Sequence, residues 1–229
     1  FLNGVERYQN FPRSPEKRPH QIARSYGNSK LIDYGGDGPA CLFIPSLVNP
    51  AHILDLDKHR SLIGYVRQGN MRPYLLDWGD LGDEERGFSL DDYVLKRLIP
   101  ALEFCAQRNN GPISLIGYCM GGNLTLAAAC LRPDLVSKLV LLATPWDFHA
   151  EGEGSALVMA DIRRQFEPIM ATQGHLPADC LQLVFAGLDP TLIARKFRLF
   201  SKIHDQKTAH NFVTLEDWAN SGPPLSAPA

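Results

Sequence analysis

The chain has 229 residues and 25.4 kDa, enough for one domain with a sizeable core and a subdomain attached to it. Hydrophobic residues make up 45% and charged residues 21%, which excludes general disorder, and 23 basic against 25 acidic residues (formal net charge -2) point to neither nucleic acid nor an anionic membrane. The five cysteines, at 41, 105, 119, 130 and 180, form no CxxC and no Cys/His cluster, so no disulfide framework and no metal site is expected, and the setting is read as reducing and cytoplasmic.

Residues 1–20 are polar, carry three prolines and read as an extended N-terminal arm. Gln21 to Tyr26 and Lys30 to Tyr34 flank Gly27-Asn28-Ser29 as a hairpin. The apolar run Ala40 to Ile44, ended by Pro45, predicts a buried strand. Lys58 to Gln68 reads as a helix stopped by Gly69, residues 73–78 as the next strand and Gly79 to Phe88 as a charged loop. Ser89 can cap a helix with Asp91 and Asp92 in its first turn and Val94, Leu98, Ala101, Leu102 and Cys105 on its apolar face, while Pro100 should kink or restart it. Residues 113–117 and 138–143 read as core strands, with a small-residue helix from Gly122 to Leu131 between them. The 23 uncharged residues between Arg108 and Arg132 are therefore a strand and a helix, and no membrane span is expected.

Alternating strands and helices imply a mostly parallel sheet with helices on both faces and 113–117 between the first and fourth core strands. Beyond Pro145 the character changes to helices near 155–172, 177–187, 190–203 and 214–220. The run Leu181 to Phe185 is ambiguous between strand and helix, and Thr214 with Asp217 resembles a capping box. The division expected is an arm (1–20), an α/β core (21–146) and a helical cap region (147–229).

Gly117-Tyr118-Cys119-Met120-Gly121 follows a predicted buried strand and opens a helix. This is the pattern of a nucleophile elbow with Cys as the nucleophile. The sharp turn forces the central residue into strained backbone angles and leaves no room for flanking side chains, hence the two glycines. The helix N-terminus favours the reactive thiolate, and the backbone N–H of Met120 points to where an oxyanion would form. A second oxyanion donor should come from the loop after the first core strand, through the backbone N–H of Ser46 or Leu47.

With these motifs in place the sequence resembles the polyhydroxyalkanoate synthases. The resemblance lies in Ile44-Pro45 through Ile53-Leu54-Asp55-Leu56, in Ser61-Leu62, Gln68-Gly69 and Asp77-Trp78, in Leu90-Asp91-Asp92-Tyr93, in the elbow and in Leu141 through Phe148. It continues in Phe212 through Trp218 and spans roughly residues 31 to 225. It implies an α/β-hydrolase fold with a helical cap, and transfer of acyl groups from (R)-3-hydroxyacyl-CoA to a growing polyester with Cys119 as nucleophile. It implies no cofactor beyond the acyl-CoA substrate. The partners implied are a homodimer mate or second synthase subunit and the polyester granule surface.

Family members continue with two more strands, after which the triad acid and the triad His follow. No Asp or His here matches those motifs, so the chain is expected to be an incomplete piece of the enzyme whose sheet is left with an uncovered edge. Among residues present, Asp147 and His149, just past the fourth core strand, are weak acid/base candidates, and His52 is a candidate pocket residue. The other histidines are assigned no role, and Cys41, Cys105, Cys130 and Cys180 read as packing residues. Two alternatives stay open: a Cys-dependent hydrolase, resembling dienelactone hydrolases or a thioesterase, and a non-catalytic domain that binds acyl groups or a partner.

Overall fold

A computed structural model describes residues 1–13, 20–147, 150, 153–189 and 191–229. In chain order it forms α1 (Leu2–Gln9), β1 (Gln21–Tyr26), β2 (Ser29–Asp33), β3 (Ala40–Ile44), a 3-10 turn (Ala51–Leu54), β4 (Asp55–Asp57), β5 (Arg60–Ser61), α2 (Leu62–Gln68) and β6 (Arg72–Asp77). Next come α3 (Leu90–Tyr93), a π turn (Val94–Leu98) and α4 (Ile99–Asn109), which run on as one interrupted helix. They are followed by β7 (Ile113–Tyr118), α5 (Met120–Leu131) and β8 (Val136–Leu142). The remainder is α6 (Glu153–Gln173), β9 (His175–Leu176), α7 (Ala178–Leu188), α8 (Leu192–Phe200), α9 (Gln206–Ala219) and β10 (Leu225–Ser226).

The main sheet has the order β1-β2-β6-β3-β7-β8, with β6, β3, β7 and β8 parallel and the β1–β2 hairpin antiparallel at one edge. The 113–117 strand thus lies between the first and fourth core strands, as the βαβ pattern predicts. All five residues of β3 are buried because both faces are covered. Leu42 and Ile44 join Leu98, Leu102 and Cys105 of the long helix on one face, while Cys41 and Phe43 join Ile63 of α2 and Leu75 of β6 on the other. The opposite edge, β8, leaves Leu139, Val140 and Leu141 exposed, at 37%, 40% and 39%. Among the described residues no helix is long and apolar enough to cross a membrane.

Several elements differ from the sequence reading. Residues 2–9 are helical where an extended arm is expected. Pro12 falls after the helix, and Tyr8 finds a T-shaped partner in Phe197 while Arg7 donates to the Phe200 carbonyl at 2.8 Å. The helix expected from Lys58 begins at Leu62, because the Asp57 carboxylate accepts from the backbone N–H groups of His59 and Arg60 and turns the chain between β4 and β5. Ser61 then caps it, its hydroxyl accepting from Gly64 N–H at 2.7 Å. β8 starts at Val136 and α5 at Met120, each two residues earlier than expected.

Ser89 caps α3 as expected, with Asp92 completing a capping box, and Pro100 is accommodated by the π turn that precedes it and restarts the helix. The ambiguous Leu181 to Phe185 run lies inside α7. The helix expected at 214–220 begins at Gln206, capped by Asp205, which accepts from Thr208 N–H at 2.7 Å. Thr214 is therefore a mid-helix residue donating to the His210 carbonyl, and Asp217 bonds Tyr8 and Arg13 instead of capping. Cys130 is exposed on α5, not packed.

Candidate active site

β7 alternates buried and half-buried residues up to Tyr118, and the chain then reverses into α5 through a single residue. That residue is Cys119, with φ 53° and ψ -131°. A non-glycine side chain at this φ is strained, and the surroundings hold it there. Cys119 N–H donates to the Leu142 carbonyl of β8 at 2.8 Å, and its own carbonyl accepts from Gly122 N–H at 2.8 Å. At Gly121 a Cβ would overlap the carbonyl oxygens of Ile44 and Pro45, so the first turn of α5 sits directly on the end of β3. At Gly117 a Cβ would overlap Gly122 and the Thr125 hydroxyl. Both flanking glycines are thus required by close approach. Cys119 is partly exposed, and Met120 opens the helix, where backbone N–H groups lack intrahelical partners.

The contact at Gly121 brings the loop after β3 to the elbow. In that loop Ser46 and Leu47 are both buried, and the Ser46 hydroxyl accepts from Val48 N–H at 3.1 Å. Trp78, at the end of β6, donates its indole N–H to the Pro45 carbonyl at 3.0 Å. At the other end of the loop Trp218 donates to the Pro50 carbonyl at 2.9 Å, and Asn49 donates its side-chain amide to the Ala219 carbonyl at 3.2 Å. The structure therefore gathers Cys119, Met120, Ser46 and Leu47 at the C-terminal edge of the parallel strands, where α/β sheets place their ligand sites.

His52 lies farther along the same loop, in the 3-10 turn, and is exposed. Desolvation by the protein around it lowers its pKa and favours the neutral ring, against the Asp77 carboxylate, whose charge favours the protonated one. Tyr118 is half-buried, and its phenol is raised above its ordinary range first by burial and then by the charge of neighbouring Cys119. Asp147 is exposed in the segment after β8, while His149 lies outside the described residues.

Three features of the site are absent from the sequence reading. Ala143, just past β8, is like Cys119 a non-glycine residue at positive φ, 48°. Asn123 in the first turn of α5 donates to the Pro145 carbonyl at 2.9 Å and ties that segment to the elbow. Thr144 presses against Gly122, and its buried hydroxyl has no hydrogen-bond partner among the described residues. The sequence carries them only as neighbours of recognisable motifs. An open groove of about 480 Å³, lined by Glu103, Gln107, Asn110, Arg132 and Asp134 among others, lies where α4 ends and β7 begins, at the opposite end of the sheet from Cys119.

A family model described as alpha/beta hydrolase fold matches residues 74–220, which include the elbow and the strands on either side of it. The chain belongs to the alpha/beta hydrolase fold family. The Cys119 turn and the strands β7 and β8 that flank it lie within this span. The resemblance to polyhydroxyalkanoate synthases extends beyond motifs to most of the chain. The poly(3-hydroxyalkanoate) polymerase subunit PhaC of Haloferax mediterranei is 28% identical over 217 residues, 90% of this chain and 44% of that protein. The subunit of the same name from Synechocystis sp. is 30% identical over 190 residues, 80% of this chain and 50% of that protein. That from Thiocystis violacea is 27% identical over 209 residues, 86% and 58% respectively. The chain spans about half the length of the curated relatives it matches.

Proposed function

We propose that Cys119 is the nucleophile of an acyltransferase that polymerises (R)-3-hydroxyacyl-CoA into polyhydroxyalkanoate. The observation that carries this reading is a cysteine held at φ 53° on a strand-to-helix turn, in a chain whose relatives are named polyhydroxyalkanoate polymerases. After a base removes the thiol proton, the thiolate attacks the thioester carbonyl. The carbon–sulfur bond to CoA breaks, CoA leaves as a thiolate that takes up a proton, and the acyl group stays on Cys119. The hydroxyl of a second 3-hydroxyacyl group then attacks this thioester and loses its proton to the base; an ester bond forms, the bond between the acyl carbon and the Cys119 sulfur breaks, and Cys119 returns to the free form. The Met120 N–H and an N–H of Ser46 or Leu47 are the donors proposed for each oxyanion.

No Asp or His of this sequence matches the motifs that carry the triad acid and His in the family it resembles. Asp147 and His149 are proposed only as weak acid/base substitutes, and His52 as a pocket residue. Acyl-CoA, a homodimer mate or second synthase subunit, and a polyester granule surface are the proposed partners, with no cofactor. The test uses the full-length protein with 3-hydroxybutyryl-CoA. Released CoA with insoluble polyester, lost in Cys119→Ala, is expected. Stoichiometric free 3-hydroxybutyrate without polymer would select a Cys-dependent hydrolase, and no CoA release would select a binding domain.

A further inference from the structure

The loop that carries the candidate oxyanion donors is held between two bodies. Its first residue, Pro45, is fixed to the sheet: Trp78 bonds its carbonyl, and Gly121 packs against the same atom. Its last residue, Pro50, is fixed to the region after β8: Trp218, at the end of α9, bonds its carbonyl, and Asn49 beside it reaches the Ala219 carbonyl. The Ala219 carbonyl also accepts from the Gln182 side chain of α7 at 2.6 Å, so the anchor on this side joins two helices. Gly222 runs on against the Val48 carbonyl. Between the two anchors lie Ser46 and Leu47, both buried. A displacement of α9 relative to the sheet therefore pulls on one end of a six-residue loop whose other end cannot follow.

We propose that Trp218 and Asn49 are positioning residues through which α9 sets the Pro45–Pro50 loop, and with it the second oxyanion donor. The catalytic part of this rests on the Cys119 reading. The mechanical part does not, because it concerns only where the loop is held. An oxyanion site acts through donors fixed in advance within a few tenths of an ångström, so a loop free at one end stabilises the transition state less while leaving ground-state binding intact.

The test uses the full-length protein and two variants, Trp218→Phe, which keeps a ring but removes the donor, and Asn49→Ala. Amide hydrogen exchange at Ser46, Leu47 and Val48 is expected to quicken about tenfold in each, the weight of one hydrogen bond, with α5 and β7 unchanged. Exchange unaltered at the loop would overturn the proposal, as would a uniform rise through the sheet, which marks a general loss of stability. In turnover, kcat per alkylatable Cys119 should fall about tenfold with KM held within about twofold. A rise in KM with kcat unchanged would overturn the positioning role in favour of substrate binding. Turnover that survives Cys119→Ala would remove the nucleophile reading, and the exchange result would still decide whether α9 holds the loop.

Discussion

At the scale of single residues, Gly121 is the most constrained position of the elbow. A methyl group there meets two backbone carbonyls, Ile44 and Pro45, that belong to the central strand and its exit and so have little freedom to retreat. Gly121→Ala is expected to destabilise by about 1–3 kcal/mol, the usual cost of overpacking, read as a fall in Tm of about 2–12 °C. Gly187 is the control. It lies in α7 with open space where a Cβ would stand, so Gly187→Ala should leave Tm unchanged or raise it slightly. Equal losses from both substitutions would show that the close approach at the elbow is not what demands glycine.

At the scale of elements, α1 is attached to α9 mainly through one carboxylate. Asp217 accepts from the Tyr8 hydroxyl at 2.5 Å and from two nitrogens of Arg13 at 2.8 and 3.0 Å. Burial pushes its pKa up, but the hydrogen bonds from Arg13 and Tyr8 outweigh this and hold it below the usual carboxylate range. The sign follows: a depressed folded-state pKa gives a contribution fully present above about pH 4 and lost as the pH falls through the lower folded value. Asp217→Asn should accordingly quicken exchange of the α1 amides at neutral pH and leave α4 untouched, and the difference from the parent should close in acid. No change at neutral pH would show that the Phe197 and Phe200 contacts alone hold α1.

Such attachments also mark what the sequence could and could not reveal. β3 and β7 were legible because each is a short apolar run bounded by Pro or Gly. The elbow was legible because its geometric demand is met by residues within five positions. α1 was not, because its partner stands about 200 residues away, whereas the start of α9 carries a local signal, the Asp205 cap on Thr208, that the sequence reading passed over. The loop anchors Trp218 and Asn49 were hidden for the same reason, being 168 and 170 residues from what they bond. The π turn was half visible. Tyr93, Arg97, Ala101 and Cys105 form one buried row and Val94, Leu98, Leu102 and Ala106 another, both spaced strictly by four. In an α-helix such rows drift by about 40° per step, and the wider π turn winds back part of that drift while freeing the carbonyl that Pro100 would strike.

At the scale of the whole molecule, the parallel sheet is covered on both faces at β3 and bare at β8. Leu139, Val140 and Leu141 are consecutive, so they point to alternate faces, and both faces of this edge meet solvent. An apolar edge strand is a template for unwanted pairing. The 229-residue chain is expected to self-associate with rising concentration in sedimentation velocity, and Val140→Lys to suppress this. A parent chain that stays monomeric throughout would sink the idea.

The contact between Tyr8 and Asp217 closes across 209 residues, nearly the length of the chain. On a ribosome adding about 5–20 residues per second, α1 emerges roughly 10–40 s before the carboxylate that receives it. Eight residues are too few to stay helical alone over that wait. The segment is thus made well before it can fold onto its partner, and Asp217→Asn should hasten unfolding without slowing the formation of the sheet.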